Sequence, residues 1–328
     1  MKKLVVLDGH HYPEGEFDKI KELCSSNGIA FDVLDCVTPE DAIQTAQNAD
    51  AAICIYLPMD DDLLKNLPNL RMVVRSGIGV DNLDLPAFTK NRVLACNVPD
   101  YGVEEVAIHA LSLLLALERK IVLYNNSVHS GEWNEDTGYA MRRVSQRTVG
   151  LLGFGRIARK LSCFLTPLGY SQIAFDPHLP SHFFTSAGVE SVSLDFLLQH
   201  SDILVVMAPL NEETHHIIND ETLAKAKDGL FIINTARGAL VDTHAIIRAL
   251  DSGKIKAIGF DVLEEEPPKG LCQELIGRPN VIVTPHIGYR SLESFEALKR
   301  MAAETAISFL NGGDAYNVVN KEIIGQSR

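Results

Sequence analysis

The side chains with the clearest chemical potential lie in the last third of the chain. Arg237 stands in Asn234-Thr235-Ala236-Arg237-Gly238, and His286 in Thr284-Pro285-His286-Ile287-Gly288. Carboxylates lie between them, at Asp261 in Gly259-Phe260-Asp261 and in the run Glu264-Glu265-Glu266-Pro267-Pro268. Arginine holds a carboxylate through two parallel hydrogen bonds, which the point charge of lysine does not reproduce. Histidine exchanges protons near neutral pH. Arg237, Asp261 and His286 each follow an apolar, strand-like run at its C-terminal end, the edge at which open α/β sheets bind ligands. Taken singly, each has a plain reading: a surface arginine, a capped loop histidine, a solvated acidic loop. For two of the three glutamates the plain reading is adopted. Together, at strand ends near one nucleotide motif, these residues point to a common site.

That motif is Val149-Gly150-Leu151-Leu152-Gly153-Phe154-Gly155-Arg156-Ile157-Ala158. A bare Gly-x-Gly-x-x-Gly/Ala string is weak, but this one follows an apolar strand and opens a helix, as a dinucleotide fingerprint requires. Gly153 permits a tight turn, Gly155 lets backbone approach a pyrophosphate, and Ala158 allows helix and strand to pack closely. The helix start offers unpaired N–H groups and a positive dipole end. Asp176 ends the next strand, 23 residues after Gly153, near the offset of a ribose-binding carboxylate. Its charge would repel a 2′-phosphate. NAD rather than NADP is therefore the expected cofactor.

The elements that position these groups alternate along the chain as strand and helix, the pattern of parallel α/β sheets. Strands are expected at 4–7, 31–34, 51–55, 72–75 and 93–96, then at 149–152, 172–175, 203–206, 230–233, 257–260 and 281–283. One long helix is expected over about 103–124, followed by a polar connector, 129–146, that holds the only tryptophan, Trp133. Helices are also expected over 155–166, 242–251 and 291–310. The 328 residues suit two domains. With 46% hydrophobic and 22% charged residues, the chain is core-forming rather than disordered.

Thirty basic against 43 acidic residues give a net charge of −13, which disfavours binding to nucleic acid or anionic membranes. An acidic substrate would then need locally placed cations. The N-terminal apolar run stops at Asp8, too short for a signal peptide. Six cysteines lack metal spacing and read as reduced and structural. The pairs His10-His11 and His215-His216 also lack metal-ligand spacing, so no metal is expected. A cytoplasmic protein is the reading adopted.

The motifs in their order resemble the D-isomer-specific 2-hydroxyacid dehydrogenase family over almost the whole chain. They comprise Arg75-Ser76-Gly77-Ile78-Gly79-Val80-Asp81, Asn97-Val98-Pro99, the Gly153 turn, Asn234-Thr235-Ala236-Arg237-Gly238, Asp261-Val262, Glu266-Pro267 and Pro285-His286-Ile287-Gly288. Val103-Glu104-Glu105, His215-His216 and Phe175-Asp176-Pro177 also resemble the C-terminal-binding protein branch. The resemblance implies two Rossmann-like α/β domains with doubly wound parallel sheets. A cofactor domain, 99–290, would be inserted into a flavodoxin-like substrate domain of 1–98 and 291–328.

It further implies catalytic roles for Arg237, for His286 as acid/base, and for Glu266 as its partner. Gly153, Gly155, Arg156, Ile157, Asp176, Thr235, Ala236, Arg237, Asp261, His286 and Gly288 would contact NAD. Arg75, Ser76, Gly77, Ile78, Arg237 and Tyr289 would face substrate, with backbone N–H groups near 76–78 helping to hold its carboxylate. Arg290 reads as a solvated arginine at a helix start.

The expected function is hydride transfer between NAD(H) and a small D-2-hydroxy acid or 2-keto acid. A NAD(H)-sensing protein related to the corepressors is the alternative, and formate or phosphite oxidation a third reading. A homodimer is expected from the resemblance, with weak support from 106–117, which is apolar over more than one helical face.

Overall fold

A computed structural model describes residues 1–13 and 15–324. The chain divides into two compact units, one of Met1–Gly102 with the segment from Ser291 onward, the other Val103–Arg290. The first unit thus runs four residues beyond the expected boundary at 98. The extension has a local cause, since Val98 N–H donates to Gly77 O at 2.9 Å and Tyr101 packs on the first unit's core.

The first unit is built on β1 (Lys3–Val6), β2 (Ala30–Val33), β3 (Ala51–Cys54), β4 (Met72–Arg75) and β5 (Leu94–Cys96), all parallel, in the order β2-β1-β3-β4-β5. This is the flavodoxin-like order. The residues of β3 and β4 are buried throughout, as continuous apolar runs in parallel sheets require. Helix Leu292–Leu310, capped by Ser291, places Ala302, Ala303, Ala306 and Leu310 in the same core as Ile53, Met72 and Val74.

The second unit contains β6 (Thr148–Leu152), β7 (Ser171–Phe175), β8 (Glu190–Ser191), β9 (Ile203–Val206), β10 (Leu230–Asn234), β11 (Ile255–Phe260) and β12 (Val281–Val283). Their parallel order is β12-β11-β10-β9-β6-β7-β8. The order reverses between β6 and β9, which makes that edge the switch point of a Rossmann sheet. The two-residue β8 has no counterpart in the sequence reading, being too short and too exposed to show an apolar pattern.

The expected helix over 103–124 is two helices, Val103–Glu118 and Ile121–His129. Lys120 breaks it in the left-handed conformation (φ 54°), with no glycine or proline to announce the break. Its buried ammonium donates to Thr137 O at 2.6 Å, tying the break to the connector. The apolar residues of the first helix are mostly consumed inside the unit: Val106, Ala107, Ala110, Leu113, Leu114 and Leu117 are buried. Ile108 remains 44% exposed on this helix, and Leu111 and Leu115 are only half-buried. The next helix buries none of its residues and exposes Ile121, Val122 and Val128.

Five of the six cysteines are buried, and all six are free thiols. Cys163 departs from the structural reading in being exposed. Burial pushes the thiols of Cys24 and Cys96 up to about 11 and about 12, which keeps them unreactive.

One buried charge organises the first unit. The carboxylate of Asp8, 1% exposed just past β1, accepts N–H groups from Ile55 (2.9 and 3.0 Å), Tyr56 (2.7 Å) and Leu57 (3.0 Å). Alanine at this position would leave three N–H groups in or near the core without their acceptor. The Asp8→Ala variant should lose about 3 kcal/mol of stability, read from denaturant unfolding. A loss within the scatter of ordinary surface substitutions would refute this role.

Candidate active site

The left-handed backbone of His286 (φ 52°) is set by Asp261. The carbonyl oxygen of Asp261 accepts His286 N–H at 2.8 Å, and its carboxylate accepts the N–H groups of Ile287 (3.0 Å) and Gly288 (2.7 Å). Thr284 Oγ1 donates to Asp261 Oδ1 at 2.5 Å. That hydroxyl hydrogen is thereby committed, so the 2.9 Å contact between His109 Nε2 and Thr284 Oγ1 has the ring as donor. His109 Nε2 also lies 3.3 Å from Asp261 Oδ1. A Cβ on Gly288 would fall 2.8 Å from Asp261 Oδ2 and 3.2 Å from His109 Cδ2, so only glycine fits there.

Burial pushes the Asp261 carboxyl up, but hydrogen bonds from His109, Thr284, Gly288 and Ile287 outweigh it and hold the group below its usual range. His109 was missed in the sequence. Its signal is helical spacing, because it falls beside the buried 106, 110, 113, 117 stripe, where a polar side chain is out of place.

The loop after β11 supplies the partner of His286. Glu266 Oε2 lies 2.7 Å from His286 Nδ1, and Glu266 Oε1 accepts Leu263 N–H at 2.9 Å. Burial raises the Glu266 carboxyl, while the His286 hydrogen bond and charge, the Leu263 N–H and the charge of Arg237 bring it below its ordinary range. With Nδ1 facing the carboxylate, Nε2 is the ring atom left to gain and lose a proton. Tyr289 stands edge-on to the His286 ring, with centroids 6.5 Å apart.

Arg237 follows β10 through a turn fixed by Asn234, whose side chain accepts from Ala236 N–H (3.0 Å) and donates to Arg237 O (2.9 Å). Arg237 is half-buried, and one guanidinium nitrogen donates to Ala236 O at 2.7 Å. Thr235 Oγ1 in the same turn is buried and has no partner within the protein. An orphaned hydroxyl of this kind fits a bound polar ligand.

The nucleotide turn lies at the switch point of the same sheet. Gly153 has φ 88°, and a Cβ there would collide with the Met207–Ala208 backbone at 2.7–2.8 Å. Gly155 begins the helix Arg156–Leu168 and faces open space, as a backbone that approaches a pyrophosphate must. Arg156 is exposed and Ile157 half-buried on the first turn, while Ala158 is buried. The Asp176 carboxylate accepts N–H groups from Phe154 (3.0 Å) and His178 (3.1 Å), which anchors it beside the turn. These residues fit a dinucleotide. Among the described residues, no group of three His, Cys, Asp or Glu side chains is placed to hold a metal.

The substrate residues expected in the first unit form a loop after β4. Asn97 Nδ2 donates to Ile78 O at 2.7 Å, and Tyr12 OH lies 3.2 Å from Ser76 Oγ. Arg75 is 9% exposed, with Nε donating to Ile55 O at 3.2 Å, so it supports the loop from below. Gly77 sits at φ 148°, a conformation L residues rarely adopt, and a Cβ there would also displace that guanidinium. Ser76 N–H donates to Cys54 O (2.7 Å) and Gly77 N–H to Arg75 O (2.9 Å). Of the three N–H groups expected to meet a carboxylate, these two are already committed, which narrows that expectation to Ile78.

Dinucleotide turn, orphaned hydroxyl and histidine–glutamate pair share the C-terminal edge of one parallel sheet, the arrangement of a nicotinamide-dependent oxidoreductase. The family described as D-isomer specific 2-hydroxyacid dehydrogenase, NAD binding domain, matches residues 111–288. A glycerate dehydrogenase of Methylorubrum extorquens is 34% identical over 290 residues, which cover 86% of this chain and 89% of that protein. Among solved structures, a glyoxylate reductase from Paecilomyes thermophila aligns with TM-score 0.88 at 27% identity, covering 98% and 99% of the two chains. A D-lactate dehydrogenase from Aquifex aeolicus, complexed with NAD and lactic acid, aligns with TM-score 0.84 at 27% identity over 95% and 96%.

The chain belongs to the D-isomer-specific 2-hydroxyacid dehydrogenase family. It is an NAD-dependent oxidoreductase acting on the CH–OH group of small 2-hydroxy acids. The expected likeness to the C-terminal-binding protein branch, and the corepressor alternative built on it, find no support in these relatives.

The depressed Asp261 carboxyl has a consequence for stability. A group whose folded value lies below its unfolded value stabilises the fold above the unfolded value, and that contribution fades as pH falls through the folded one. The stability advantage of wild type over Asp261→Asn should therefore shrink as pH is lowered from about 6 to about 3, followed by denaturant unfolding. An advantage independent of pH across that window would contradict the assignment.

Proposed function

We propose that the chain interconverts a small 2-keto acid and its D-2-hydroxy acid, with His286, Glu266 and Arg237 as its catalytic residues. The single observation that supports this most strongly is the 2.7 Å contact between Glu266 and His286 Nδ1. Bound NADH supplies the hydride that is added to the keto carbon. His286 Nε2 then gives its proton to the carbonyl oxygen, and in the oxidative direction the neutral ring takes it back. Glu266 orients the ring through its 2.7 Å contact with Nδ1. Arg237 holds the substrate carboxylate and polarises the carbonyl. Ile78 N–H is assigned to the substrate carboxylate, with Ser76 and Gly77 shaping its loop and Arg75 supporting it.

The nucleotide contacts are assigned to Gly153, Gly155, Arg156, Ile157, Asp176, Thr235, Ala236, Asp261 and Gly288. The Thr235 hydroxyl supports this assignment because it awaits a polar partner. Asp176 supports preference for NADH over NADPH. We further propose a homodimer. It is supported by the exposed apolar groups Ile121 (59%), Val128 (49%) and Trp133 (92%) on the second helix and connector. Unpaired cysteines support a cytoplasmic location. Among the described residues no helix is long and apolar enough to cross a membrane.

The decisive assay is NADH oxidation against a panel of 2-keto acids, repeated with NADPH. Turnover of at least one acid with clear preference for NADH is expected, and no turnover across the panel would overturn the proposal. Reduction needs a protonated His286, so its rate falls as pH rises, while oxidation shows the opposite limb. Glu266→Gln should move the reductive limb to lower pH, and His286→Ala should lose roughly 10²–10⁴-fold in kcat. An unmoved limb, or near-normal turnover in His286→Ala, would exclude these roles. Light scattering at micromolar concentration should give twice the chain mass, and a monomer would remove the dimer.

A further inference from the structure

Of the three glutamates after β11, Glu265 fits the solvated reading, whereas Glu264, like Glu266, is tied to the fold. Glu264 is an exposed residue whose side chain is nonetheless engaged at both oxygens, its Oε1 lying 2.5 Å from His216 Nε2 and its Oε2 accepting Thr243 N–H at 2.8 Å. It thereby links the β11 loop to the start of helix Thr243–Ser252 and to the loop that follows β9.

His216 is held for this contact. Its backbone is left-handed (φ 50°), its N–H donates to Ala239 O at 2.8 Å, and its carbonyl accepts Asn219 Nδ2 at 2.9 Å. The pair therefore restrains the Leu263–Glu264 peptide from outside. On its inner side that peptide meets Gly238 directly. A Cβ on Gly238 would fall 1.9 Å from Leu263 C and 2.3 Å from Glu264 N. Two catalytic groups adjoin this peptide: Arg237 precedes Gly238, and Leu263, at the peptide's N-terminal end, donates its own N–H to Glu266 Oε1 at 2.9 Å. Displacement of this peptide would move Arg237 and Glu266 together.

We propose that His216 and Glu264 form a brace that presses the Leu263–Glu264 peptide against Gly238 and so sets the placement of Glu266 and Arg237. Both are positioning residues, and neither takes part in proton or hydride transfer. The inference rests on the catalytic reading given above. Charged and titratable neighbours on the elements that meet here are His215, stacked on His216 at 4.0 Å, then Glu265, Glu266 and Arg237, and Asp242 and His244 on either side of Thr243. Loosening the brace weakens the grip of Glu266 on His286, so the ring should hold its proton less firmly.

The test compares His216→Ala with His216→Gln, whose amide nitrogen can replace Nε2 as a donor to Glu264. Steady-state reduction is measured across pH, and the titration of His286 is followed by NMR of the ring, assigned with His286→Ala. In His216→Ala, kcat should fall about tenfold, as expected for small misplacement of catalytic groups. NADH affinity should be unchanged. The reductive limb and the NMR titration of His286 should both move to lower pH than in wild type, and His216→Gln should restore them.

If His216→Ala does not fold, Glu264→Gln serves instead, since it keeps the acceptor for Thr243 while removing the charge that grips His216. It should shift the titration in the same direction. An unmoved His286 titration in folded His216→Ala, or in Glu264→Gln where that variant serves, overturns the brace. If wild type turns over no 2-keto acid while the NMR shift is still seen, the catalytic reading fails and the brace stands.

Discussion

The Asp261 carboxylate is the constraint from which the rest of the candidate site follows. A negative charge almost removed from water is tolerated only where donors surround it. Here those donors are Thr284, Ile287 and Gly288, with His109 within reach. Satisfying the charge forces the chain from 284 to 288 to curl around it, and the curl leaves His286 in a backbone conformation that non-glycine residues rarely adopt. The cost of that conformation is met by the hydrogen bonds that demand it. The side chain of His286 is therefore delivered to Glu266 by the needs of a different carboxylate.

Much of this was legible in the amino-acid sequence. The parallel strands could be read because each is a short apolar run, and β4, β9 and β12 fall where expected to the residue. The glycine turn and Asp176 could be read because their spacing is dictated by the turn itself. The expected partnership of Glu266 and His286 came from the resemblance, and the structure brings the two side chains into contact.

What was not legible depends on pairings between distant residues. His109 and Thr284 are 175 positions apart, and His216 and Glu264 are 48 apart. No local pattern distinguishes a glutamate that meets a distant histidine from one that faces water. The break at Lys120 was hidden for a related reason. Its left-handed backbone is sustained by a carbonyl in the connector, not by glycine at the break. The loop after β4 shows the limit in another form. Its motif marks it for ligand binding, yet its backbone N–H groups are partly spent on the carbonyls of Cys54 and Arg75.

The first unit is discontinuous along the chain, and this bears on the order in which the protein is made. Asn320 closes the outer edge of its sheet, accepting Ala95 N–H and donating to Val93 O, both at 2.9 Å. The Leu292–Leu310 helix covers the core that β3 and β4 expose until it arrives. Everything needed for the second unit, Val103–Arg290, is synthesised before that helix. During vectorial synthesis the inserted unit is thus the first able to complete its core, and domains generally fold as units as they emerge. The nascent strands of the first unit must wait, with apolar surface uncovered, for nearly two hundred residues to be added. That interval is when this chain is most exposed to aggregation and to capture by chaperones.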